Sequence, residues 1–200
     1  MNPHRAGDEL SYYSGETNVR MADVVIVSKV NTVDPEKVEE TIANVKGING
    51  TARILKANIT ITAENDEAIL RKKVLVVEDS PTVTHGGMAY GAATIKARAL
   101  EAELVDPRPY AKGSILAVYE MYPHLENVLP VVGYSELQMD EVSQVINDTP
   151  CDLVLQDTPT DISRYLKVDK PVQRVRYELE EINPGEIEEA IFGLLEERLK

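Results

Sequence analysis

Short apolar runs of strand length alternate with helix-length segments along this chain, and that alternation restricts the fold more than any other feature. Val24-Val25-Ile26-Val27 lies in the first run, a buried strand over residues 22–28. A helix follows it. Asp34 can cap, Pro35 suits the first turn, Val38, Ile42 and Val45 recur on one face, and Gly47 is a stop signal. Residues 53–61 read as a further extended segment, interrupted near Asn58. Downstream, strands over 74–78, 103–105, 128–132, 152–156 and 172–179 are interleaved with helices over 87–100, 114–122 and 135–146. The last of these helices opens on a Ser135/Gln138 capping box. Asn183, Pro184 and Glu186 open a final helix with an apolar stripe of Ile187, Ile191, Leu194 and Leu195. Residues 1–20 have no apolar period and read as a polar loop. Strands alternating with helices predict an α/β fold, a mostly parallel sheet with helices on both faces. A boundary between two α/β halves is expected around residues 64–73.

Composition sharpens this picture. With nine Tyr, one Phe and no Trp, the core falls to Val, Ile, Leu and Ala, the residues of buried parallel strands. Thirty-four acidic residues against 21 basic ones give a net charge of -13, which disfavours nucleic acid as a partner. Any phosphate site must be local. The single Cys151 excludes an internal disulfide framework and a multi-Cys zinc site, and reads as a small core residue. No apolar run approaches the ~20 residues that span a membrane, so a soluble, cytoplasmic protein without a membrane partner is expected.

Ligands of open parallel sheets bind beyond the carboxyl ends of the strands. Those ends carry Ser28-Lys29-Val30-Asn31, Glu78-Asp79-Ser80-Pro81, Asp106-Pro107-Arg108-Pro109, Gly133-Tyr134 and Asp157-Thr158-Pro159-Thr160-Asp161. The stretch from Glu78 to Gly87 leaves a strand and enters a helix near Met88, so Gly86 and Gly87 would let a ligand approach backbone N–H groups at a positive helix end. Thr84 and His85 add donors for a phosphate or carboxylate. Glu78 and Asp79 suit a divalent cation or a base, with His85 as an alternative proton carrier. Arg108, held between two prolines, is suited to a bidentate anion contact, as are Arg174 and Arg176 on one strand face; pairing with surface acids is the alternative.

Ser28-Lys29-Val30-Asn31 resembles the Asn-Lys-x-Asp signature with which GTP-binding P-loop proteins contact guanine. Longer stretches resemble the cyclic 2,3-diphosphoglycerate synthetase-like family, often described as predicted GTPases. They are Tyr13 to Asn18, Val76 to Met88, Val105 to Tyr110, Tyr122-Pro123-His124, Val128 to Tyr134 and Val175 to Leu179. The resemblance implies a P-loop NTPase-like first part over residues 1–72 and a Rossmann-like α/β part over 73–200. It implies ATP or GTP with Mg²⁺ as cofactor, and a small phosphorylated substrate in which a phosphoanhydride is closed. Ser28, Lys29 and Asn31 would face the base, and Thr84, His85, Gly86, Gly87 and Arg108 the anionic substrate.

Two departures qualify those roles. The chain has no Gly-Lys dipeptide, so the family's Gly-x-x-x-x-Gly-Lys-Ser/Thr loop is missing, and with it the main clamp on the β- and γ-phosphates. The matched stretches correspond to the C-terminal part of a longer member. An N-terminal P-loop-bearing segment or subunit is therefore an expected partner, and little NTPase activity is expected of this chain alone. Second, Ser28 and Asn31 stand where the signature has Asn and Asp, which weakens guanine recognition. The leading expectation is the nucleotide- and substrate-binding portion of a phosphoryl-transfer enzyme. A non-catalytic binding scaffold is one alternative, and an intact enzyme acting through Glu78, Asp79 and His85 is another. Association into a homo-oligomer stays open.

Overall fold

Runs of β-branched residues make the strands of an α/β fold, and polar caps set the helix limits between them. The computed structural model describes residues 1–79, 83, 87–131 and 133–199. The chain divides into two compact units, Met1–Thr60 with Glu178–Lys200, and Ile61–Tyr177. The C-terminal helix thus belongs with the first sixty residues, whereas the expected division lay at residues 72 and 73.

The first unit opens on a 3-10 turn, Pro3–Arg5, and two short helices, α1 (Asp8–Ser11) and α2 (Gly15–Met21). The reading of residues 1–20 as loop is corrected here. Helices this short show no period, and α1 is secured by Glu9, 1% exposed, which accepts from Gly7 N at 3.0 Å and Asn44 Nδ2 at 2.6 Å. β1 (Val24–Val27) pairs in parallel with β2 (Arg53–Ala63). Between them runs α3 (Pro35–Ile48), whose start is capped by the Asp34 carboxylate accepting from Glu36 N at 2.9 Å. The helix passes Gly47 and stops where Asn49 takes over. Asn49 donates its side-chain amide to Val19 O and Ala22 O and accepts from Ala52 N. Val38, Ile42 and Val45 are the buried apolar face of α3, as the period predicts, packed with Val25 and Val27. β2 runs unbroken through Asn58, because Asn31 bonds to the neighbouring Ile59 in both directions.

The second unit is built around β3 (Lys73–Glu78), buried at every residue after Lys73. Its other elements are α4 (Ala92–Ala99), β4 (Glu103–Leu104), α5 (Gly113–Met121), β5 (Val128–Pro130), α6 (Glu136–Asp148), β6 (Leu153–Asp157) and the part of β7 (Val172–Glu181) up to Tyr177. β6 pairs in parallel along one edge of β3, while β4 and β5 pair with the start and end of the other edge. β7 pairs in parallel with β6. Alternate β3 residues serve opposite faces. Leu75 and Val77 pack with Ile115 of α5 and Met139, Val142 and Ile146 of α6, while Val74 and Val76 pack with Ala93 and Ala97 of α4. Helices on both faces were predicted, and this is their physical basis. The Ser135/Gln138 capping box is present as expected. Cys151 is partly buried against the first of these clusters.

α7 (Glu186–Arg198) closes the chain after Gly185, which takes φ +84°. Of its expected apolar stripe, Ile187 and Leu194 are half-buried on either side of the buried Ala190, whereas Ile191 and Leu195 are each 49% exposed. Among the described residues, no helix is long and apolar enough to cross a membrane.

Candidate functional site

The carboxyl ends of β3 and β6 deliver the densest chemistry of the second unit. Glu78 ends β3, Asp157 ends β6, and the two residues are register partners across the parallel pair. Glu78 is fully buried. Its Oε1 accepts from Thr94 N at 2.9 Å and Thr94 Oγ1 at 3.0 Å, and its Oε2 accepts from Gly91 N at 2.5 Å. Asp157 Oδ2 accepts from Ala92 N at 3.1 Å. Two carboxylates therefore occupy the N–H groups at the start of α4, where the helix dipole favours negative charge. Gly91 fits this close approach. A Cβ at that position would stand 3.1 Å from both Cδ and Oε2 of Glu78 and 3.4 Å from Asp157 Oδ2.

Burial lifts the Glu78 carboxyl from its ordinary 4.5 to about 7, the N–H donors of Thr94 and Gly91 opposing and the Asp157 charge reinforcing that rise. Such a group changes protonation near neutrality. Beside it, Asp79 N donates to Asp157 O at 3.0 Å, and the Tyr134 hydroxyl donates to Asp79 Oδ2. Burial, then that bond, pushes the Tyr134 phenol above its usual range. The loop after β6 is tied down from two sides. Gln156 Oε1 accepts from Thr158 Oγ1 and Ile162 N, and its Nε2 donates to Asp161 Oδ1. Arg174 on β7 donates through Nη2 to Thr158 O at 2.9 Å and Pro159 O at 2.7 Å.

Ser80 to Thr82 and Thr84, His85 and Gly86 lie outside the described residues. Gly87 is exposed with φ +68°, and the helix it was expected to open begins at Ala92, because Gly91 is the residue that turns onto the strand ends. Arg108 lies in a 3-10 turn with its guanidinium committed to Asp106, Nε to Oδ1 and Nη2 to Oδ2, each at 2.8 Å. This bidentate pair holds the Asp106 carboxyl below the usual carboxylate range. Pairing with a surface acid, the alternative to anion binding, is what the structure shows. In the first unit, Ser28 Oγ donates to Met1 O, and Asn31 spends its amide on the Ile59 backbone. Lys29 takes φ +63° and keeps its ammonium near His4, whose imidazole is lowered by burial and then by that charge.

Glu78 does not fit a cation ligand, since both its oxygens face N–H or O–H donors. Among the described residues, no group of three or more His, Cys, Asp or Glu side chains is arranged to hold a metal ion. What the strand ends offer is a fully buried acid of shifted pKa, Glu78, beside the buried Asp157 and the half-buried Asp79.

The chain is similar to a protein named as a synthetase. Over 191 residues, 95% of its length, it is 44% identical to the arginine synthetase ArcE of Thermococcus kodakarensis. It spans 43% of that protein. No known family model matches the chain. The strand-end acids of β3 were visible in the sequence. The partnership of Glu78 with Asp157, Gly91 and Thr94 was not, although Gly91-Ala92-Ala93-Thr94 has the small residues that a close helix start needs.

Proposed function

We propose that this chain is one portion of a nucleotide-dependent synthetase, and that the β3–β6 strand ends are where it handles the substrate that receives or gives up a proton. The convergence of Glu78, Asp79 and Asp157 at the start of α4 carries this reading. The relationship to an enzyme named as an arginine synthetase supports it, because arginine bears a guanidinium that carboxylates bind through paired, charge-assisted hydrogen bonds. On this reading the half-buried Asp79 and the buried Asp157 meet such a cation at the strand ends. Glu78, fully buried, is a positioning residue that fixes the α4 start and stores a proton. ATP or GTP with Mg²⁺ remains the proposed cofactor, on the sequence resemblance. With no Gly-Lys dipeptide in the chain, its phosphate clamp belongs to another segment or subunit of the whole enzyme.

Calorimetric titration of the chain with L-arginine, with 2,3-diphosphoglycerate, and with ATP or GTP plus Mg²⁺ tests this. Arginine binding that weakens at least tenfold in Asp157→Asn, while 2,3-diphosphoglycerate gives no heat, is the expected result; loss of one charge-assisted bond is worth roughly 1.5–3 kcal/mol. Binding of 2,3-diphosphoglycerate instead would return the substrate to the phosphorylated class. No binding of any of the three would favour the scaffold reading.

A further inference from the structure

We infer that the C-terminal helix of one copy docks into a groove beside α3 and β2 of a second copy. α7 is anchored to its own unit on a narrow side, through Ala190 and the ion pairs Arg53–Glu189 and Asp23–Arg198. The adjoining side presents Ile191, Phe192, Leu195 and Leu199, which fall at helical spacings of three and four and so form one stripe. They are between 49% and 86% exposed, and Phe192 is the chain's only Phe. A contiguous apolar stripe of this kind marks an interaction surface.

The same unit carries an open groove of about 470 Å³, with Ile42, Ala52 and Ile54 on its apolar floor and Lys46, Lys56 and Glu39 at its rim. Charge selects between the arrangements two copies could adopt. Glu188 and Glu196 lie one turn to either side of Phe192, so stripe-to-stripe pairing of two α7 helices would bring like charges together in a chain already at -13. Seated in the groove, the stripe meets apolar side chains while its glutamates meet Lys46, Lys56 being already paired with Glu39 at 2.8 Å. One surface thus satisfies both requirements of the other.

Sedimentation velocity of the whole chain over a range of concentrations tests the proposal. The expected result is a species of at least two chains, whose dissociation constant rises at least tenfold in Phe192→Glu and in Lys46→Glu. The double variant Lys46→Glu/Glu196→Lys should recover most of the loss, and circular dichroism should stay unchanged, since these side chains are peripheral to the core. A single-chain mass at every concentration overturns the proposal and leaves the stripe for a different polypeptide. Association that persists in Phe192→Glu overturns it as well.

Discussion

A carboxyl group with no exposure and a pKa near neutrality makes the protein's stability depend on pH in an unusual direction. Glu78 holds its proton to about pH 7 when folded but releases it near 4.5 when unfolded. The folded state therefore binds more protons between those values, and stability falls as pH rises through that window. Its contribution is fully present below 4.5 and lost above 7, a change on the order of 3 kcal/mol for a shift of this size. Glu78→Gln should flatten that part of the profile, which chemical denaturation at pH 5 and pH 8 would measure. It should also cost about 1–3 kcal/mol at low pH, because an amide NH₂ must face either Gly91 N–H or the Thr94 donors. A wild-type stability that climbs from pH 5 to 8 by as much as Glu78→Gln does would refute this account. Glu78 and Asp79 were legible in the sequence because a strand end is where an open parallel sheet keeps its polar groups. Asp157 stood among the strand-end residues too. Its partnership with Glu78 depends on β3 lying beside β6, which no local pattern encodes.

At the level of elements, strands and caps were readable and the irregular starts were not. Asp34 and the Ser135/Gln138 pair act through neighbours two or three residues away, so the sequence contains the whole interaction. The start of α4 is set instead by carboxylates from two strands, and the expected helix began too early at the more conspicuous Gly86-Gly87. Gly91→Ala should lower stability by roughly 1–3 kcal/mol, since its Cβ must push against Glu78 in a packed interior. Ser135→Ala, which removes one capping box, should cost about 1 kcal/mol. Thermal melts of the two variants would rank them in that order; a Gly91→Ala protein as stable as wild type would mean the α4 start is looser than its geometry indicates. The stripe of α7 was correctly placed on one side of a helix. Which side faced inward depended on where the helix settled, and Ala190, too small to stand out in a hydrophobic pattern, took the buried place.

For the whole molecule, the charge of -13 is the dominant long-range term. Self-repulsion of that size destabilises a compact state and is screened by salt over a Debye length of roughly 8–10 Å near physiological ionic strength. The melting temperature should therefore rise as sodium chloride is increased from low values to physiological ones, and differential scanning calorimetry would show it. A melting temperature that falls over that range would show that the attractive pairs, such as Arg108–Asp106 and Lys96–Asp66, outweigh the repulsion. Sequence alone made the α/β class clear, since alternation along the chain is itself the evidence of layers. It could not reveal that the C-terminal helix belongs with the first sixty residues, because that grouping is a property of tertiary contact alone.

Arg174 lies opposite Gln156 in the β6–β7 pair, and between them these two side chains hold residues 158–162 in place. A strand that slips by one position turns all its side chains to the other face. In a slipped β7, Gln173 or Val175 would stand where Arg174 does, and the carbonyls of Thr158 and Pro159 would lose their donor. Correct strand alignment and a properly formed loop are consequently coupled, so a chain misaligned at β7 would leave the loop after β6 without one of its two ties.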